Sequence, residues 1–185
     1  GDVYKRQVWT WGSNSYGQLG TGDNINKAMP AKVMDIENAI DISVGSYNTV
    51  VVKDDGTVWS FGYNGYGQLG DGTTVSKNSP TVIKTEKSNL TDIKELKAGS
   101  GSSMAIMKNG DTYTWGSNNN NKLGTTATKN QIYPTKLENV NTSISGDIGT
   151  DNGGIIDTQG FVYMWGLGTY GNLGNRLYNT TSEPV

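Results

Sequence analysis

The chain has 185 residues, a net charge of −2 and a pI near 5.1, so no global positive field draws it to nucleic acid or to an anionic membrane surface. It contains no Cys and no His, which removes thiolate nucleophiles, disulfides, Cys/His zinc sites and imidazole acid–base chemistry from its repertoire. No apolar run reaches the roughly 18 residues of a membrane-spanning helix. With neither a leader peptide nor an initiating Met, the chain is expected to be an excerpt of a longer one.

Gly1 to Gln7 stand outside any register. One period before the turn Asp55-Gly56-Thr57 lie Lys5-Arg6-Gln7, with an Arg where the turn glycine belongs, so residues 1–7 are expected to be foreign to the rest. From residue 8 the chain repeats. Trp11-Gly12 opens a glycine-rich loop that closes on Leu19-Gly20, and Pro30 follows. Trp-Gly returns as Phe61-Gly62, Trp115-Gly116 and Trp165-Gly166, at steps of 50, 54 and 50 residues. Leu69-Gly70, Leu123-Gly124 and Leu173-Gly174 keep those steps, as do Pro80, Pro134 and Pro184. Residues 8–185 therefore read as one array with units over 8–34, 35–84, 85–138 and 139–185. A period near 50 built from strand-like segments points to a propeller blade.

The second unit shows the elements most plainly. Ile40 to Gly45 alternates apolar and polar residues, as a half-buried strand does. Asn48 to Lys53 is a Val-rich run suited to a strand covered on both faces, and Asp54-Asp55-Gly56 is a tight-turn signal joining it to the next strand. Thr57 to Phe61 alternates again and puts Trp59 and Phe61 on one face. The loop from Gly62 to Gly72 follows, and Pro80 opens an outer strand, where a missing N–H is tolerated. Four short strands per unit make a blade.

The other units repeat the pattern. Gly56, Gly110 and Gly160 hold one hairpin turn, and Gly45, Gly99 and Gly149 each precede it by eleven residues. Two aromatics share a face in every unit, from Trp9/Trp11 to Tyr163/Trp165, and are expected to pack between neighbouring blades. Asn121 stands where other units have Gly17, Gly67 and Gly171, which predicts a left-handed backbone at all four.

The run from Val58 to Gly72, Val-Trp-Ser-Phe-Gly-Tyr-Asn-Gly-Tyr-Gly-Gln-Leu-Gly-Asp-Gly, resembles the regulator of chromosome condensation repeat, and four copies stand in register over all but the first seven residues. The resemblance implies a seven-bladed β-propeller that acts as a protein-binding platform. In the founding member it also implies guanine-nucleotide exchange on a small GTPase and docking on chromatin. The chain departs from the family where a His often follows the strand glycine, for it carries Asn48, Ser102 and Asn152 there, and its repeats are too few for a seven-bladed ring.

Side chains that recur in every unit are read as blade-building, and those that break the pattern as candidates for binding. Asp54, Asp55, Asp71 and Asp111 fall in turns, where Asx side chains bond nearby backbone. The glycine loops lack the Gly-Lys-Ser/Thr ending of a phosphate loop. The pattern-breakers are Tyr47, Tyr63, the Asn119-Asn120 pair with Lys122, and an excess of four residues in the stretch Thr85 to Lys97, which carries Lys87 and Lys94 and is expected to protrude.

The sequence thus predicts an all-β arc of a propeller: two complete blades, most of a third and a partial first. No catalytic residue, metal or cofactor is expected. The expected function is a non-catalytic protein-interaction platform, with nucleotide exchange on a small GTPase and glycan binding as alternatives. The partner is a protein, with no nucleic acid and no membrane insertion. The open edges of the arc are to be covered by remaining blades or by self-association.

Overall fold

The computed structural model describes residues 6–185, which contain thirteen β-strands and one 3₁₀ turn. The expected foreign segment lies mostly outside the described residues. β1 (Trp9–Gly12) pairs with β2 (Lys27–Lys32) in a two-stranded sheet. β3 (Ala39–Val44), β4 (Asn48–Lys53), β5 (Val58–Gly62) and β6 (Lys77–Val82) form an antiparallel meander. β7 (Ile93–Ala98), β8 (Ser102–Met107), β9 (Thr112–Gly116) and β10 (Gln131–Lys136) form a second one. β11 (Ser143–Ile148), β12 (Asn152–Asp157) and β13 (Val162–Gly166) form a three-stranded sheet.

Along β13 runs the segment 181–185. Gly166 and Thr181 form an antiparallel bridge, and Met164 and Val185 exchange two backbone hydrogen bonds of 3.0 Å. Pro184 therefore stands beside β13 as Pro30, Pro80 and Pro134 stand within β2, β6 and β10. Each outer strand pairs on one side only, so the proline's missing donor costs no ladder bond.

The first strands of three sheets, β3, β7 and β11, are neighbours, and the sheets follow one another face to face. That is the arrangement of propeller blades. The core lies in slabs between blades rather than inside any one of them. Val50, Val52, Ile83, Leu96 and Trp115 fill one slab, and Met104, Leu123, Leu137, Ile155 and Trp165 the next. β4 and β8 are buried along nearly their whole length because a blade covers each face.

One joint recurs in every slab. An aromatic ring from the third strand of a blade lies on the glycine that closes the preceding blade's loop. A Cβ on Gly20 would stand 2.8 Å from the Phe61 ring, one on Gly70 2.8 Å from Trp115 Nε1, and one on Gly124 2.6 Å from the Trp165 ring. These glycines have φ of 65°, 65° and 70°, so both the contact and the backbone demand glycine. Phe61, Trp115 and Trp165 are fully buried. The indole Nε1 of Trp115 donates to Gln68 O at 3.0 Å and that of Trp165 to Lys122 O at 2.8 Å. Phe61 has no donor, and there the Thr49 hydroxyl donates to the corresponding Gln18 O at 2.9 Å. At the two ends of the arc the joint is half made: Trp11 is 61% exposed, and nothing lies within 4 Å of a Cβ on Gly174.

The stretch Thr85 to Lys97 corrects one expectation. Only the small hairpin bridged between Lys84 and Asn89 projects. Leu90 is buried, and Ile93 to Lys97 belong to the inner strand β7, where Ile93 and Leu96 face the core. The polar composition hid three apolar anchors at near-regular spacing.

The joint gives a direct test. Trp115→Ala is expected to cost about 3–5 kcal/mol in urea unfolding. Trp115→Phe, which copies the Phe61 joint but loses the indole donor, is expected to cost about 1–2 kcal/mol. Equal costs for the two variants would mean that the ring contributes nothing beyond its hydrogen bond.

Candidate protein-binding face

All the loops that follow Trp-Gly, together with the turns joining first and second strands, emerge at one end of the blades. In the first three units one buried asparagine shapes the loop. Asn64 Oδ1 accepts the Leu69 N–H at 2.9 Å, while its Nδ2 donates to Thr73 O at 3.0 Å and Val75 O at 3.2 Å. Asn14 and Asn118 do the same for Leu19 and Leu123. In the fourth unit Gly168 takes this place, with its N–H 3.5 Å from Thr180 Oγ1. The left-handed positions read from the sequence are present, with φ of 80°, 81°, 58° and 77° at Gly17, Gly67, Asn121 and Gly171.

On this scaffold four tyrosines from two blades come together. Tyr16 packs edge-on against Tyr47 at 5.3 Å between ring centroids and against Tyr63 at 5.0 Å. Tyr47 and Tyr63 are 6.5 Å apart, and Tyr66 joins Tyr63 at 5.8 Å. The main chain beneath them is tied down. The Tyr16 and Tyr66 N–H groups donate to Gln18 Oε1 and Gln68 Oε1, both at 3.0 Å, and the Tyr63 N–H donates to Tyr47 O at 2.8 Å. Tyr16, Tyr47 and Tyr66 remain 44%, 51% and 41% exposed, and Tyr63 is half-buried at the centre. Sequence reasoning singled out Tyr47 and Tyr63. It passed over Tyr16 and Tyr66 because they recur, and the only signal for them was the Tyr-Gly-Gln loop itself.

The third unit uses the same end differently. Asn119–Asn121 form a 3₁₀ turn, with Asn120 at φ 57°. Lys122, where other units have Gln or Asn, is buried, and its ammonium donates to Ser100 O at 2.6 Å and Thr150 O at 2.9 Å. Those carbonyls belong to turns of adjacent blades, so Lys122 clasps two blades. Asn120 adds a bond to Asp151 at 2.9 Å from an exposed position, and Asn119 is exposed beside it. Lys87 and Lys94 lie apart from the tyrosines. Lys87 sits exposed on the outer hairpin, and Lys94, on the inner strand, donates to Ile144 O at 2.8 Å. Among the described residues no group of three or more acidic side chains is placed to hold a metal ion.

Burial pushes the Lys122 ammonium below its ordinary value of 10.5, and the nearby Asp151 charge only partly offsets this. The folded pKa is thus below the unfolded one, and unfolding favours proton uptake. Stability should rise as pH climbs through the window just below 10.5 and should fall on the way back down. Urea unfolding of the native chain and of Lys122→Gln across this range checks the sign. The difference between the two is expected to grow in favour of the native chain with rising pH, and a flat difference would contradict it.

Comparison with known proteins follows the same lines. The model of the regulator of chromosome condensation (RCC1) repeat matches residues 7–52, 55–106 and 109–147. The human E3 ubiquitin-protein ligase HERC2 is 31% identical over 136 residues, covering 71% of this chain and 3% of that protein. The ultraviolet-B receptor UVR8 of Arabidopsis thaliana is 30% identical over 173 residues, covering 90% of this chain and 39% of the receptor. Yeast RCC1 (Prp20), in its crystal structure bound to Kap60, superposes with a TM-score of 0.84 at 21% identity over 97% of this chain and 44% of its own. Human WBSCR16 gives 0.83 at 22% identity over 97% of this chain and 47% of its own. The chain therefore spans less than half of each of these relatives. With repeats matched over most of its length, and blades that superpose on solved propellers, it belongs to the regulator of chromosome condensation (RCC1) repeat family.

Proposed function

We propose that this chain is a non-catalytic protein-binding module and that its docking face is the loop end carrying Tyr16, Tyr47, Tyr63 and Tyr66. The tyrosine cluster carries the reading. Tyrosine offers a large, rigid, amphipathic contact area at small entropic cost, and aromatic clusters at the centre of a patch are where binding energy concentrates. Around the cluster the loops are almost entirely Ser, Asn, Gly and Gln, side chains and backbone suited to adaptable hydrogen bonding. Yeast Prp20, whose blades superpose on these, has been solved with Kap60 and characterised for binding to Gsp1p and histones, which supports a protein as the partner. The half-made joints at Trp11 and Gly174 fit further blades of the same kind, from the rest of a longer chain or from a second copy.

A photo-crosslinking residue placed at Tyr47 in the intact protein tests this in native cells, with Asn109, on a turn at the opposite end of the blades, as control. A discrete protein adduct is expected from position 47 and not from 109. Equal labelling from both ends, or none from 47, would remove the loop face from consideration. A GTPase adduct accompanied by accelerated nucleotide release would favour the exchange-factor alternative.

A further inference from the structure

The chemistry of the tyrosine patch narrows the kind of segment it receives, on the reading that this face is the docking surface. We propose that the patch takes a proline-rich segment of its partner in the polyproline II conformation.

Charge is the first argument. The loops that form the patch, residues 13–18, 45–48 and 63–68, contain no charged side chain. A strongly basic or acidic segment would lose solvation there and find no counter-charge, whereas a neutral one pays no such penalty.

Donor supply is the second. The patch's main-chain N–H groups at Tyr16, Gly17, Tyr63, Tyr66 and Gly67 are already bonded within the fold, and residues 13–18, 45–47 and 63–68 are turns and loops rather than an extended strand edge on which a β-strand could be added. The four phenol hydroxyls, by contrast, have no partner among the described residues. The patch therefore offers hydroxyl donors and ring surface. A polyproline II segment has the complementary inventory: carbonyls free of internal hydrogen bonds, few or no N–H groups, and apolar pyrrolidine rings.

Shape is the third. The rings meet at 72°, 59°, 78° and 83°, so faces and edges alternate and leave notches between them rather than one flat platform. Puckered prolyl rings on a stiff three-residue turn fit such notches, and the stiffness limits the ordering cost on binding. An amphipathic helix needs a long groove, which this compact cluster lacks.

The test is a titration of the whole chain, labelled with 3-fluorotyrosine, with a proline octamer followed by ¹⁹F NMR. Tyr→Phe variants assign the ten tyrosine resonances. Saturable shifts are expected at Tyr16, Tyr47, Tyr63 and Tyr66 and not at Tyr113, Tyr133 or Tyr163. Tyr47→Ala is expected to weaken the octamer about tenfold and Tyr47→Phe about threefold, the latter keeping the ring and losing one donor. The unshifted tyrosines report whether each variant is folded. Absence of saturation, shifts spread over remote tyrosines, or saturation of the same rings by a lysine-rich peptide or an oligosaccharide but not by the octamer would each overturn the proposal. If crosslinking at position 47 yields a partner while the octamer leaves the rings unmoved, the docking face stands and the proline-rich partner falls. If both fail, both readings fall.

Discussion

The structure depends on how closely one blade approaches the next. A blade is a small twisted sheet with too little interior to hold itself together, and its apolar faces must be covered by its neighbours. The aromatic ring on the loop glycine sets that approach. Where Phe61, Trp115 and Trp165 press on Gly20, Gly70 and Gly124, even a methyl group would collide with the ring, so the Leu-Gly pair recurs while residues around it vary. The polar half of the joint is freer. The carbonyl two residues before each glycine is met by the Thr49 hydroxyl, by Ser103 together with Trp115, or by Trp165 alone. Gly153 replaces the hydroxyl-bearing residue in the last case because the Trp165 indole fills that space. One requirement, satisfaction of a buried carbonyl, has three solutions in one chain.

The same joint positions the candidate binding face. The loop that ends on the glycine is the loop that displays the tyrosine, so a rigid contact in the core fixes an exposed ring. The buried asparagines Asn14, Asn64 and Asn118 close each loop on itself, spending side-chain hydrogen bonds where helix or sheet bonding is absent. In the fourth unit, Gly168 lacks that side chain, and Tyr170 stands 83% exposed and stacks on no other ring among the described residues. In the third, Lys122 turns the loop inward to clasp two turns. Four loops of one design thus give a tyrosine cluster shared by two units, a clasp and a lone ring, and the differences come from single positions.

Much was legible in the sequence alone. The spacing of Trp-Gly, Leu-Gly and Pro, with the Asp55-Gly56 type of turn, determined the repeat, the meander of short strands and the placement of the outer strands, because these features follow from local backbone demands: positive φ, a missing N–H, alternation of period two. The left-handed backbone at Asn121 was legible for the same reason. What only the tertiary structure decided was which side chains from different units meet. Tyr16 and Tyr66 look like ordinary repeat residues until Tyr16 is brought across a joint against Tyr47 and Tyr63, with Tyr66 closing on Tyr63 from within the same loop, and Lys122 looks like a surface charge until two carbonyls from adjacent blades close on it. The polar run Thr85 to Lys97 looks like a loop, yet Leu90, Ile93 and Leu96 are drawn into the slab between blades. Periodicity reports contacts within a unit, while a binding face is made of contacts between units, and those depend on distances in space that no spacing along the chain encodes.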